Sequence, residues 1–240
     1  MKDDEIKGKE WDFVSIANMN SEEDYFTHHL RKYCLVRDII VEESPKTILD
    51  IGVGTGIFYS LLPDFSKYEV HGIEFVSNFI PLLQKRGIRT HQCNIEKDPI
   101  PHVDATFDLV ICDSIIEHTL KPKHLISEIY RVLKPGGSFI LVAPNATSFI
   151  RRWGHFRGRN LFEPLINNLY TKDYLARCSV FYSEKELRFV LENNSLSIKR
   201  VDYINETSHD ARSLAVSIAR FLGLFVPKFR DVIFVTGIKK

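Results

Sequence analysis

Seven residues, Asp50-Ile51-Gly52-Val53-Gly54-Thr55-Gly56, constrain this chain more than any others. They close a short apolar run that begins at Thr47, the composition of a buried strand. Glycines at alternate positions then let the backbone turn sharply and press against a ligand, because no Cβ intrudes. A helix starting at Ile57 and stopped by Pro63 would turn free N–H groups toward that ligand. A dinucleotide fingerprint needs G-x-G-x-x-G after the strand. Here the third glycine, Gly56, comes one residue early and Ile57 stands in its place, which argues against NAD or FAD.

The pattern around the loop is α/β. Tyr25, Phe26, Leu30, Tyr33, Cys34, Val36, Ile39 and Ile40 recur at helical spacing within residues 21–43. Further strands are expected at EVHGIEF, IRTHQCN, FDLVICD, SFILVAPN, LSIKRVDYI and VIFVTGIKK. Helices are expected at Ser77–Arg86, Lys123–Leu133, Ser183–Asn193 with a Ser183/Glu186 capping box, and within 210–226. The turn Lys134-Pro135-Gly136-Gly137 should separate the second of these from its strand. Apolar strands alternating with helices imply a parallel sheet covered on both faces. Residues 146–182 break the rhythm and read as a cap inserted after the fifth strand. Residues 1–43 read as an N-terminal helical lid, and 44–240 as the main domain.

Composition narrows the function classes. The hydrophobic fraction is 44% and the formal net charge only +1, so there is no whole-protein field for nucleic acid. Cys34, Cys93, Cys112 and Cys178 lack CxxC or zinc spacing and read as reduced thiols of a cytoplasmic protein. The charged N-terminus does not read as a signal peptide. The apolar stretch 214–226 is too short to span a bilayer; flanked by Arg212 and Lys228, it suits peripheral membrane contact or, more commonly, a helix packed on the sheet edge. No metal is expected: no ligand cluster stands out, and His28 and His29 should point apart on their helix.

Glu74 ends the second strand about twenty residues after Gly52, where a carboxylate can accept hydrogen bonds from both hydroxyls of a ribose. With ILDIGVGTG, VHGIEF, FDLVICDSIIEHTLKP and EIYRVLKPGGSFILVAPN in place, the chain resembles the class I S-adenosylmethionine-dependent methyltransferases. The likeness is to the small-molecule branch related to ubiquinone-biosynthesis O-methyltransferases. The resemblance implies a Rossmann-like, seven-stranded, mostly parallel sheet with its last strand antiparallel. It also implies S-adenosylmethionine as cofactor. Asp50, Gly52, Gly54 and Gly56 would line the methionine end and Glu74 the ribose. Phe75, Val76, Asn94 and Ile95 would surround the adenine, with Asn94 standing where Asp is common. Asp113 and Ser114 would lie near the sulfonium.

The sulfonium supplies the electrophile, so the protein must align a nucleophile, exclude water and, where needed, take a proton. His118, beside Glu117, is the candidate base; the alternative is that it only packs or hydrogen-bonds at a helix start. No Asn/Asp-Pro-Pro-Tyr or Pro-Cys signature follows the fourth strand, which leaves an oxygen, nitrogen or carbon on a small or lipid-like molecule; oxygen is the expected atom. Arg151, Arg152, Arg157 and Arg159 surround Trp153 and Phe156 without an acid, which suits an anionic acceptor or, equally, a solvated loop. Tyr25, His118, Arg151, Arg152 and Arg157 are the substrate-binding candidates. An RNA methyltransferase and a catalytically silent S-adenosylmethionine-binding protein are the competing readings.

Overall fold

The computed structural model describes residues 21–158, 180–205 and 214–240. Most of the 146–182 cap, with Arg159 and Cys178, lies outside the described residues. Seven strands form one sheet: β1 (Thr47–Ile51), β2 (Glu69–Glu74), β3 (Arg89–Gln92), β4 (Phe107–Asp113), β5 (Leu133–Pro144), β6 (Leu196–Ile204) and β7 (Val232–Lys239). Their order is β3-β2-β1-β4-β5-β7-β6. Strands β1 to β5 pair in parallel, and β7 runs antiparallel to both β5 and β6. This is the Rossmann-like arrangement expected, with the last strand reversed. The strand order changes direction between β1 and β4, which opens a crevice at their carboxyl ends.

Helices cover both faces. Helix α1 (Glu22–Glu43) packs on one face, where Tyr33, Val36 and Ile40 meet Ile48, Phe58, Leu109 and Ile111. On the other face α3 (Pro122–Val132) and α5 (Glu184–Glu192) bury Leu125, Ile126, Ile129, Leu187 and Leu191 against Leu49, Val110 and Leu141. Residues 48 to 51 of β1 are buried throughout, as a strand in the middle of a parallel sheet must be. Helices α2 (Ile80–Lys85), α4 (Phe149–Phe156) and α6 (Leu214–Phe225) complete the set among the described residues. Ser183 and Glu186 form the anticipated capping box at the start of α5.

Three local expectations are corrected. The glycine loop leads into a five-residue 3-10 turn, Ile57–Leu61, and not an α-helix. A β-branched residue and two aromatics favour helix poorly, and Pro63 forbids a longer one. Lys134-Pro135-Gly136-Gly137 does not separate α3 from a later strand. Leu133 already pairs with Phe107, the next residues bulge, and Ser138 resumes pairing with Leu109. Gly136 (φ 76°) makes that bulge. Finally, His28 and His29 do not point apart: their ring centroids lie 4.7 Å from each other, edge to face.

Candidate active site

The glycine loop hangs between β1 and the turn at Ile57. The amide of Gly52 donates to the Ile73 carbonyl at 2.7 Å, which fastens the loop to β2. Gly52, Gly54 and Gly56 all take left-handed backbone, with φ of 73°, 58° and 71°. Their reasons differ. A Cβ on Gly52 would fall 2.0 Å from Ile115 Cδ1, so that glycine exists for packing. A Cβ on Gly54 would meet nothing within 4 Å, so that glycine faces open space where a ligand can approach the backbone.

Glu74 is buried at the end of β2 and is held by main chain alone. Its Oε2 accepts from the Gly54 amide, and its Oε1 accepts from the amides of Phe75 and Val76, each at 2.8 Å. Burial pushes its pKa up, opposed by these three donors. A carboxylate offers about four acceptor positions. Three are taken, so Glu74 can accept one ribose hydroxyl as it stands and a second only by releasing an amide.

Asp50 is buried beside it. Burial raises its carboxyl to about 7, against the pull of a 3.0 Å hydrogen bond from the Tyr59 hydroxyl. The charges of Asp113 and Glu74 push the same way as burial. Asp113 pairs at 3.0 Å with Lys32 of α1, whose side chain is 1% exposed. Ser114 donates to Asp113 Oδ1 at 2.9 Å and is one of four non-glycine residues with positive φ among the described residues, at 57°. Such strain persists where the surroundings enforce it, commonly at functional sites.

Helix α1 roofs this crevice, and contacts from Arg86 and to Asp113 hold it there. Near its start, Arg86 donates both to Glu22 Oε1 at 2.8 Å and to the Thr55 carbonyl of the glycine loop at 2.6 Å. Further along, Lys32 reaches Asp113. Beneath it lies a pocket of about 60 Å³ lined by Tyr25, Tyr33, Asp50, Gly54, Thr55 and Asp113, among others. Gly52 and Gly56 line it too.

The expected site residues fall into three groups. Asp50, Gly52, Gly54, Gly56, Asp113 and Tyr25 line the pocket together. Glu74, Phe75, Val76 and Ser114 neighbour it through the contacts just described. Asn94 and Ile95 follow β3, where Asn94 Oδ1 accepts from the Glu96 amide at 3.1 Å and shapes the next turn. His118 is exposed on a short turn after β4 and is absent from the pocket lining, whereas Glu117 beside it is buried. Arg151, Arg152 and Arg157 stand on or cap α4, also off the pocket lining. Lys32 and Tyr59 were not singled out by the sequence. A lysine in a mixed helix reads as solvated, and nothing local says that it reaches β4.

Asp50, Glu74 and Asp113 thus gather around the crevice with Lys32 and, at the glycine loop, Arg86. Residues 49–141 match the family described as the methyltransferase domain. A probable pectin methyltransferase of Arabidopsis thaliana is 29% identical over 166 residues, which is 64% of this chain and 23% of that protein. The human mitochondrial ubiquinone biosynthesis O-methyltransferase is 27% identical over 164 residues, 64% of this chain and 42% of its own length. The chain thus spans less than half the length of these relatives. Among solved structures, a SAM-dependent methyltransferase of Thermotoga maritima, described as a possible histamine N-methyltransferase, superimposes with a TM-score of 0.58. It is 19% identical, with 91% of this chain and 94% of that one covered, which bears on the fold. Residues 49–141 thus match a methyltransferase domain, and the fold is the one shared by solved SAM-dependent methyltransferases.

Proposed function

We propose that this protein binds S-adenosylmethionine in the crevice under α1 and transfers its methyl group to a small or lipid-like acceptor, with oxygen the favoured atom. The observation that carries the reading is Gly54: left-handed backbone facing open space, its amide held by the buried Glu74. That is a cradle which a Cβ would fill and a nucleoside can enter. Glu74 would hold the ribose, the carboxylates of Asp50 and Asp113 would favour the cationic methionine end, and Lys32 would answer its carboxylate. When bound, the cofactor supplies an electrophilic methyl group. The chain's own work is to fix that group, keep water out and orient the acceptor.

The acceptor reading draws on α4 and α6, which pack together. Trp153 and Phe156 on α4 and Phe221, Leu224 and Phe225 on α6 are exposed, and Phe156 is 82% exposed. Arg152, Arg157, Arg220 and Lys228 accompany them. An apolar face edged with cations fits a lipid-like, anionic acceptor or the surface that presents it. No helix among the described residues is long and apolar enough to cross a membrane. Free Cys34, Cys93 and Cys112 accord with a cytoplasmic setting. His118 would act as base only if acceptor binding brings it toward the crevice.

Calorimetry with S-adenosylmethionine, its demethylated product and NAD tests the cofactor assignment. Binding of the two S-adenosyl ligands and none of NAD is expected; the reverse overturns it. Mass increments after incubation with lipid and metabolite extracts then identify the acceptor.

A further inference from the structure

A second constellation lies away from the crevice, on the edge strands. In the parallel β2–β3 pair, His71 faces Arg89 and Ile73 faces His91. Strand periodicity of two puts His71 and His91 on one face. The connection from β3 to β4 contains no helix, so a loop covers this face and brings His102 over both rings. The loop is anchored. Arg131 donates to the carbonyls of Ile100 and His102, and Glu128 accepts from the Ile100 amide at 2.7 Å. The His102 ring centroid is 4.9 Å from those of His71 and His91, at 85° and 89°, and Phe107 backs the group.

The nitrogens are arranged for more than packing. One ring nitrogen from each histidine lies within 4.8 Å of the other two. His71 Nε2 sits 3.1 Å from Glu69 Oε1, which places the proton there and leaves a lone pair on Nδ1. That Nδ1 is buried with no hydrogen-bond partner among the described residues, and so is Nε2 of His102. Buried polar nitrogens are rarely left so. A carboxylate behind a histidine is also the usual means of orienting an imidazole toward a metal.

We propose that His71, His91 and His102 form a binding site for one divalent transition-metal ion, with zinc as the working ion. Three neutral imidazoles without a thiolate suit zinc, nickel, cobalt or copper and disfavour magnesium and calcium. A tetrahedral ion with Zn–N bonds of about 2.0–2.1 Å draws its ligand nitrogens to about 3.3 Å apart. The exposed His91 can turn inward to make that contraction. Solvent takes the fourth position. Glu69 also pairs with Arg89, so the second sphere is already fixed. The ion would staple β2, β3 and the β3–β4 connection together. The site asks nothing of methyl transfer, and the expectation that activity needs no metal is untouched by it. Sequence spacing could not reveal it, because the ligands come from two strands and a loop.

The test uses the full chain without a histidine tag, stripped with chelator and titrated with zinc chloride by calorimetry. One equivalent should bind with micromolar or tighter affinity and raise the melting temperature. His91→Ala, at an exposed position, should leave the melting temperature of the stripped protein unchanged and weaken zinc binding about 100-fold. His102→Gln should do the same to binding, and His155→Ala, on α4, should change nothing. A four-coordinate visible spectrum on cobalt substitution, lost in His91→Ala, would add support. Absence of stoichiometric zinc binding, or equal binding by the parent and His91→Ala, would overturn the proposal.

Discussion

The crevice under α1 and the face formed by α4 and α6 are opposites in construction. In the crevice, charged and polar groups are buried and answered. Asp50 has Tyr59, Glu74 has three amides, and Asp113 has Lys32 and Ser114. On the α4/α6 face, aromatics stand exposed and the arginines are spent on local contacts or left in solvent. Arg151 lies 3.7 Å over the Phe181 ring, and Arg152 donates to the Thr147 carbonyl at 2.8 Å. A site that serves one fixed ligand can afford rigid, buried dipoles, because the same charge arrives each time. A surface that meets a greasy or variable partner keeps apolar area available and fixes little.

The largest test of this contrast is Lys32→Met. Removing one partner of a buried ion pair leaves the other uncompensated, at a cost of about 3–5 kcal/mol. Chemical denaturation should show a loss of this size in the single variant, and Lys32→Met with Asp113→Asn should recover much of it. A silent single variant would mean that the pair is solvated and that the crevice differs little from the outer face.

Next is Gly54→Val. A side chain there enters open space, so the fold should lose only about 1–2 kcal/mol from left-handed strain. Affinity for S-adenosylmethionine should fall at least about 100-fold, which corresponds to roughly 2.7 kcal/mol. Gly52→Ala should behave differently, with destabilisation of about 1–3 kcal/mol from overlap with Ile115. Calorimetry and thermal melts on both variants check the division of labour between the two glycines.

The pH dependence of stability sharpens the electrostatic half of the contrast. The carboxyl of Asp50 rises from 3.8 to about 7 on folding. Between those values the folded chain keeps a proton that the unfolded chain has lost, so stability falls as pH rises from 4 to 7. One such group contributes at most about 4 kcal/mol, and relaxation around Asp50 should reduce that to about 2. Glu74, also raised by burial, adds in the same direction. Urea unfolding at pH 5 and pH 7.5 should show the decline, and Asp50→Asn should flatten it. A parent protein equally stable at both values would contradict a buried Asp50 that keeps its proton up to about pH 7.

The two regions also differ in how far they can be read from sequence. The glycine loop, Glu74 and the seven strands were legible because each depends on residues adjacent in the chain or on strict alternation. Lys32 was not, because its partner Asp113 is on a distant strand and only the roof position of α1 joins them. The bulge at Lys134–Gly137 looked like a turn because proline and glycine serve both, and only pairing of Leu133 with Phe107 distinguishes them. The arginine stretch read as a loop or cap, whereas residues 149–156 form a helix capped by Ser148. Its composition announced charge and aromatics but not which of them would be held.

That last distinction gives the smallest expected effects. Arg151 packs on Phe181, so Arg151→Ala should cost about 0.5–1 kcal/mol of stability whatever the acceptor. Arg157 caps the end of α4 and is exposed, so Arg157→Ala should leave the melting temperature unchanged. If the acceptor is anionic and meets this face, Arg152→Ala and Arg157→Ala should raise its KM several-fold while kcat and cofactor affinity hold. Lysine should restore Arg157 largely if the contact is a diffuse attraction, and poorly if it is a forked hydrogen bond. Phe156→Ser, at the most exposed aromatic, should lower binding to anionic lipid vesicles by about 0.5–1 kcal/mol without affecting turnover of a short-chain acceptor. Unchanged KM in both arginine variants, with unchanged vesicle binding in Phe156→Ser, would remove the α4/α6 face from acceptor recognition and leave the crevice and α1 to account for it alone.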